Sequence, residues 1–400
     1  ALAEVTIVFA ESFPPPPPPD FAPLKSRRDS ACTAGELYAN RRMFHGPRFQ
    51  GIVSMDGVGE NGLSAQLEIL PAHNLIRSNS SPKFHIDPAL LDAAGQLVGY
   101  WPVEYVTEGF MMFPIQIQAI TLYRENLSAG QHARCEVRIR EIGPRQVRAD
   151  IDLLAPDGSP WMQVHGWTDW RFYWDRSFYD FWRFPNKGLV SEAVDLGPIP
   201  GHADLECRRV TPMGEVGTSI WETLGAHLVL SQAELDEYHA MPSGPRRTEW
   251  LFGRAAAKDA VRAWLKKRSN LDLYPADVEI RADETGRPYA TGPWTDRVTE
   301  VPHISISHKG SMAVSVAGRG VLGIDLENIE TRNGGFETLA FDEDERRLLS
   351  VVNGNRAEWI TRAWCAKEAA GKALGVGLSN NPKSLVVKAV DLADGAIRVR

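Results

Sequence analysis

Four cysteines in 400 residues, Cys32, Cys135, Cys207 and Cys365, stand far apart and form no C-x-x-C pair. This excludes a disulfide framework and a cysteine zinc site, and predicts a reducing compartment, the cytoplasm. No run of about eighteen apolar residues exists to cross a bilayer, and the opening Ala-Leu-Ala-Glu-Val-Thr-Ile-Val-Phe alternates like a strand where a secretion signal would carry an apolar block. Neither sign of charge dominates. With 44 Lys and Arg against 51 Asp and Glu, the net charge of −7 gives no general affinity for nucleic acid or an anionic membrane. The remaining composition, 43% hydrophobic and 24% charged, is ordinary globular usage with room for two domains.

What is present concentrates near the C-terminus. In Val321-Leu322-Gly323-Ile324-Asp325-Leu326-Glu327 an extended strand would put both carboxylates on one face and Ile324 and Leu326 on the other. About forty residues on, Trp364-Cys365-Ala366-Lys367-Glu368-Ala369-Ala370-Gly371-Lys372 reads as a helix, with Glu368 and Lys372 stacked four apart. Mg²⁺ takes one or two carboxylates together with substrate phosphates, so Asp325, Glu327 and Glu368 are candidate metal ligands beside a lysine. Each half alone is common on solvated strands and helices; the combination narrows the reading.

Upstream, Pro245 to Lys258 opens a helix expected over 246–267. Arg247, Arg254, Lys258 and Arg262 recur there at spacings of seven, four and four, one basic stripe. Gly286-Arg287-Pro288-Tyr289 follows, then His303-Ile304-Ser305-Ile306-Ser307-His308-Lys309-Gly310, where a strand ends in a glycine turn. Strands are expected at 303–307, 312–317 and 321–327, and a helix near 356–373.

Gly-Ile-Asp-x-Glu, followed at this distance by Trp-Cys-x-Lys-Glu-Ala-x-x-Lys, resembles the paired signature of the Sfp-type 4'-phosphopantetheinyl transferases. Pro245–Lys258 is similar to that family's first motif, and the Arg287–Gly310 segment to its "(R/K)P...(N/S)xSHS" motif, with Lys309 departing from the usual small residue. The resemblance implies coenzyme A as substrate, an acyl carrier protein or a carrier domain of the same polypeptide as partner, and Mg²⁺. It implies Arg247, Arg254, Lys258, Ser307, His308 and Lys367 as coenzyme A contacts, and Glu368 and Lys372 as catalytic groups. It also implies an α+β pseudodimer with halves at 198–305 and 306–400.

The first region differs. Pro14 to Pro19 and the basic stretch to about Asn40 read as a linker or surface loop. Phe44-His45-Gly46-Pro47-Arg48-Phe49-Gln50-Gly51, Phe84 to Gln96 and later alternating strands resemble the second half of a polyketide synthase dehydratase, a hotdog fold. Asp87 then Pro88 is a helix start, and Asp92 falls within the otherwise apolar Ala89–Val98. The family uses that aspartate with a histidine as its acid–base pair, assisted by Gln96, so Asp92 is a candidate catalytic residue. None of the ten histidines lies in the family's HxxxGxxxxP pattern, and His45 and His85 belong to other motifs. Either the partner lies upstream in a longer polypeptide, which the strand-like ends at Ala1 and Arg400 suggest, or the domain does not catalyse.

Trp161, Trp167, Trp170, Trp174 and Trp182 make an aromatic stretch at the junction, read as a last strand and a helix packing into an interdomain core, with a carrier-docking surface as the alternative. The expected organisation is α+β: a dehydratase-like hotdog at 1–183 and a transferase at 184–400, together resembling the end of an enediyne-type iterative polyketide synthase. Dehydration of β-hydroxyacyl carriers, a different metal-dependent phosphoryl enzyme and a non-catalytic docking module stay open.

Overall fold

Residues 4–33 form no helix and no strand beyond an isolated antiparallel bridge from Arg28 to Val58, and Val5, Ile7, Val8 and Phe9 are exposed. The expected opening strand is absent there, because alternation makes a strand only where another strand supplies hydrogen bonds. The computed structural model describes every residue except 1–3, 107–110, 174–175, 198, 200, 203, 213–217, 333, 353, 379–380 and 394. Trp174 of the aromatic stretch, and Pro198, where the first pseudodimer half is expected to begin, lie outside the described residues. The chain divides into two compact units, Ala1–Trp174 and Asp175–Arg400.

The first unit runs α1 (Ala34–Ala39), β1 (Ile52–Gly59), β2 (Gly62–Glu68), α2 (Pro88–Tyr105), β3 (Met111–Gln116), β4 (Ala119–Leu122), β5 (His132–Ile142), β6 (Gln146–Leu154) and β7 (Pro160–Phe172). Its antiparallel sheet has the order β1-β2-β5-β6-β7-β3, with β4 also on β7. Asp87 caps α2 by accepting from the backbone N–H groups of Ala89 and Leu90. Ala93, Ala94, Leu97 and Val98 of α2 then pack against alternate residues of the strands, Ala133, Cys135 and Val137 on β5 and Ala149, Ile151 and Leu153 on β6. Small residues set how close the sheet comes: a Cβ on Gly95 would stand 2.3 Å from the buried Trp167 ring. This is the expected hotdog arrangement, a helix held by a sheet. The expected loop to residue 40 is partly structured. Thr33 and Glu36 form a capping box for α1, and Leu37 is wholly buried.

The second unit runs α3 (Arg176–Arg183), β8 (Glu192–Ala193), β9 (Glu206–Val210), α4 (Thr218–Val229), α5 (Gln232–Ala240), α6 (Pro245–Ser269), β10 (Glu279–Ala282), β11 (Pro288–Thr291), β12 (His303–Lys309), β13 (Met312–Gly318), α7 (Gly334–Ala340), α8 (Glu343–Ser350), α9 (Arg356–Leu374), β14 (Val387–Val390) and β15 (Ile397–Val399). Strands β10-β11-β12-β13-β9-β8 form one antiparallel sheet, and α6 buries Ala257, Val261 and Trp264 in a core shared with Ile280, Ile304 and Ala317. A separate core gathers Phe341, Leu349, Ile360, Ala363 and Val387. The break expected between halves at 305/306 falls inside β12, since β12 and β13 complete the sheet begun by β9.

Residues 321–327 form no strand. They are extended, but the backbone N–H groups of Ile324 and Leu326 donate to the side-chain hydroxyls of Ser305 (3.1 Å) and Ser307 (3.2 Å) on β12. Anchoring every second residue keeps Asp325 and Glu327 in the same relation a strand would. No helix among the described residues is long and apolar enough to cross a membrane.

Candidate active site

Gly323 lets the 321–327 segment lie directly on α9: a Cβ there would sit 1.8 Å from the Ala369 carbonyl oxygen. That approach sets Asp325 against the end of α9. Asp325 Oδ1 accepts from the Ser307 hydroxyl (2.9 Å) and from Lys372 Nζ (2.7 Å). The ammonium also donates to Ser307 Oγ (3.0 Å) and the Ile324 carbonyl (3.1 Å), so its three protons are spent on holding the segment. Asp325 Oδ2 is buried and has no hydrogen-bond partner. The Cys365 thiol beside it is pushed up to about 12, by burial first and then by the charge of Asp325.

Glu368, one turn before Lys372, is held above the usual carboxylate range by burial first, then by Asp325 and more weakly by Glu327, with Lys372 opposing. Three carboxylates therefore share one electrostatic field. They do not form a ready cage: among the described residues no three His, Cys, Asp or Glu side chains group as a metal site. Glu327 Oε2 is engaged by Lys309 Nζ at 2.8 Å and by Arg332 at 3.1 Å. Neither pairing is legible in the sequence: Lys309 stands as a departure from the motif suited to phosphate, and Arg332 lies outside every motif. The donor set still fits a hard cation at two points, because Asp325 presents a bare buried oxygen and Glu368 resists being ionised without a positive neighbour.

The basic stripe on α6 is not a phosphate-facing row. Lys258 is wholly buried, ion-paired with Glu234, and donates to the carbonyls of Val229 (2.8 Å) and Pro275 (3.2 Å). Arg262 is likewise inside, on Asp259 Oδ1 (2.8 Å) and the Leu273 carbonyl (2.9 Å). These two residues tie loops to α6, and helical spacing alone could not reveal which way the stripe turns. Arg247 lies over the Tyr238 ring at 4.7 Å and Arg254 over Trp250 at 4.5 Å, and both have a buried Nε without a hydrogen-bond partner. Burial lowers the Arg254 pKa, with Glu234 opposing.

Lys367 is also wholly buried, on Glu345 Oε1 (2.9 Å) and the Ala340 carbonyl (2.7 Å), which joins α9 to α8 and removes it from the expected coenzyme A contacts. Ser307 and His308 take opposite sides of β12. Ser307 faces Asp325, whereas the half-exposed His308 ring faces Glu249 on α6, Nδ1 to Oε2 at 3.4 Å. Arg287 of the Arg-Pro motif donates to the Ala373 carbonyl near the end of α9 at 3.1 Å.

In the first unit, Asp92 is not alone. Its Oδ2 lies 3.3 Å from His45 Nε2 and accepts from Gln96 Nε2 at 2.7 Å. Forty-seven positions separate the histidine from the aspartate, so only the fold reveals the pair.

Residues 321–400 match the family model of the 4'-phosphopantetheinyl transferase superfamily. The holo-[acyl-carrier-protein] synthase of Lactococcus lactis subsp. lactis is 39% identical over 88 residues, 22% of this chain and 71% of that protein. The chain belongs to the 4'-phosphopantetheinyl transferase superfamily. A synthase of the same description from Bacillus subtilis is 34% identical over 90 residues, covering 72% of its length. The matched segment of this transferase begins at the Gly-Ile-Asp signature and includes Asp325, Glu327, Glu368 and Lys372. Residues 15–168 match the family model described as the polyketide synthase dehydratase N-terminal domain, whereas the sequence motifs resemble the second half of such an enzyme. Among solved structures, the dehydratase domain of a mycocerosic acid synthase-like polyketide synthase is 25% identical, covering 36% of this chain and 49% of that one at a TM-score of 0.28. The dehydratase domain of PpsC from Mycobacterium tuberculosis is 21% identical, covering 39% and 56% at 0.29. The chain spans about half the length of these dehydratase structures.

Proposed function

We propose that the second unit transfers 4'-phosphopantetheine from coenzyme A to a serine of an acyl carrier protein, in the setting of a polyketide synthase. The observation that carries this reading is Asp325, held by Ser307 and Lys372 with one bare buried oxygen, within the segment that matches the superfamily. Asp325 and Glu368 would hold a divalent cation, magnesium, with phosphate oxygens filling the rest of its shell. Bound there, the cation supplies positive charge to the pyrophosphate. Glu327, tied to Lys309 and Arg332, sets the local field from farther out.

Glu368 accepts the proton of the carrier serine, and its raised pKa makes it a stronger base than an ordinary glutamate. The serine oxygen bonds to the phosphorus on the pantetheine side, and the bond from that phosphorus to the bridging oxygen of 3',5'-ADP breaks. Lys372 keeps Asp325 in register throughout. Arg247, with a buried Nε that has no hydrogen-bond partner, and Arg254, whose Nε pairs with Glu234 Oε1 at 3.7 Å, are suited to the phosphates of coenzyme A, where a planar guanidinium can bind two oxygens. The carrier is a separate protein or a domain of the same polypeptide. A cytoplasmic setting belongs to this reading, since all four cysteines are unpaired.

The test is the intact mass of an apo acyl carrier protein after incubation with the chain, coenzyme A and Mg²⁺. We expect a gain of one phosphopantetheine, abolished by EDTA and slowed about a hundredfold or more by Asp325→Asn or Glu368→Gln with thermal unfolding unchanged. An unmodified carrier, including one from a polyketide synthase, or transfer that survives EDTA and both substitutions, would overturn the proposal.

A further inference from the structure

Lys309 breaks the motif in which it stands, and the fold shows where its charge goes. Alternate residues of a strand share a face. On one face of β12, Ser305 takes the backbone N–H of Ile324 (3.1 Å) and Ser307 takes that of Leu326 (3.2 Å). Lys309 is the next residue on that face and meets Glu327, Nζ to Oε2 at 2.8 Å. Its backbone is fixed by pairing with Met312 across a turn in which Gly310 has φ +60°. The same Glu327 oxygen accepts from Arg332 at 3.1 Å. Arg332 is held in turn, its guanidinium 4.5 Å from the centre of the Phe336 ring and 3.7 Å from Glu330, with 15% of the side chain exposed. Two cations on one oxygen fix the glutamate and cancel its charge.

The consequence falls on the cation site beside Asp325, two residues away. Mg²⁺ demands near-ideal octahedral geometry. Glu327 could turn an oxygen towards it only by leaving both cations, which would then stand unpaired beside a dication. With Lys309, Arg332 and Lys372 set against Asp325, Glu327 and Glu368, the six ionised side chains carry no net charge before anything binds. A neutral cluster has little pull on a lone dication, whereas a dication that arrives with a diphosphate brings its own counter-charge.

We propose that Lys309 is a positioning residue which, with Arg332, withholds Glu327 from the cation, so that the metal rests on Asp325, Glu368 and substrate phosphate and Glu327 is a latent third ligand. The proposal rests on the reading of the second unit as a magnesium-dependent transferase. Spacing alone gives Glu327 to the metal as readily as Asp325. The small residue usual at position 309 of the motif has no charge with which to hold it back, so the arrangement belongs to this chain's own residues.

The experiment measures Mn²⁺ binding to the full chain without coenzyme A, from the free-ion signal in electron paramagnetic resonance, with thermal unfolding of each variant as a check on folding. Lys309→Ser should bind Mn²⁺ about tenfold more tightly than wild type, the size of effect that partners of a metal ligand have. Lys309→Met, which keeps an apolar stem, should do the same. Glu327→Gln alone should stay within about threefold of wild type, and Glu327→Gln combined with Lys309→Ser should return to the wild-type value. Unchanged affinity in both Lys309 variants overturns the inference. So does a tenfold loss in Glu327→Gln alone, which would put Glu327 on the metal already, and so does a double variant as tight as Lys309→Ser, which would trace the gain to the lost charge. Asp325→Asn separates this inference from the reading beneath it. If wild type binds no better than Asp325→Asn, the cation site itself fails and both fall; if binding depends on Asp325 while the Lys309 variants are unchanged, the inference falls alone.

Discussion

Lys367 Nζ lies 2.9 Å from Glu345 Oε1, and neither side chain reaches water. Glu345 also accepts from the Val387 N–H at 2.8 Å, so this ion pair joins α8, α9 and β14. Removing only the lysine leaves a buried carboxylate unpaired, which costs about 3–5 kcal/mol. Lys367→Met is therefore expected to lower the urea midpoint of the second unit while the remaining folded protein binds coenzyme A as wild type does. Weakened binding without lost stability would return Lys367 to the ligand set. In the first unit, burial pushes Asp169 up to about 7, against the hydrogen bond from Trp167. An unfolded aspartate releases its proton near 3.9. The native state thus binds more protons between those values, and its stability falls as pH rises through that window. Asp169→Asn keeps an acceptor for Trp167 and removes the titration. Its stability advantage over wild type should grow by about 3 kcal/mol between pH 4 and pH 8, read by urea unfolding at both; a pH-independent difference would sink the idea.

At the scale of elements, the 321–327 segment shows how a functional geometry arises without a regular strand. Two serine hydroxyls hold alternate backbone N–H groups, and the bare α-carbon of Gly323 lets the segment rest on α9. Gly323→Ala should force them apart, costing about 1–3 kcal/mol and lowering transfer by at least tenfold. Gly334→Ala at the start of α7 meets nothing within 4 Å and should be nearly neutral. Thermal unfolding and the carrier mass assay on both variants check this, and equal behaviour would remove the close approach from the mechanism. Helices were the most legible elements. Apolar periodicity and basic and acidic spacing predicted 246–267 and 356–373 against observed Pro245–Ser269 and Arg356–Leu374. Extended segments were less so, because 4–9 and 321–327 alternate as strands do but lack strand partners.

At the scale of the whole molecule, the division falls at 174/175, placing α3 in the second unit, whereas sequence composition suggested 183/184. Phe178, Tyr179 and Phe181 of α3 are buried, and burying three such rings contributes several kcal/mol, roughly 2 each. Residues 175–400 produced alone should fold and transfer phosphopantetheine within about threefold of the full chain, and residues 184–400 should unfold at a clearly lower temperature. Equal thermal stability of the two would favour the later boundary.

By itself the sequence determined the chemistry on offer: two carboxylates spaced by one residue, a Glu and Lys one helical turn apart, and an aspartate in an apolar helix with a capped start. Those follow from local periodicity, which three or four neighbouring residues suffice to define. Only the tertiary structure decided which charges are tools and which are struts. Lys258 and Lys367 face glutamates brought from other elements, Glu327 is claimed by Lys309 and Arg332, and Asp92 meets His45 across 47 positions. A charged side chain's role depends on whether burial and a partner consume it, and both come from residues distant in sequence.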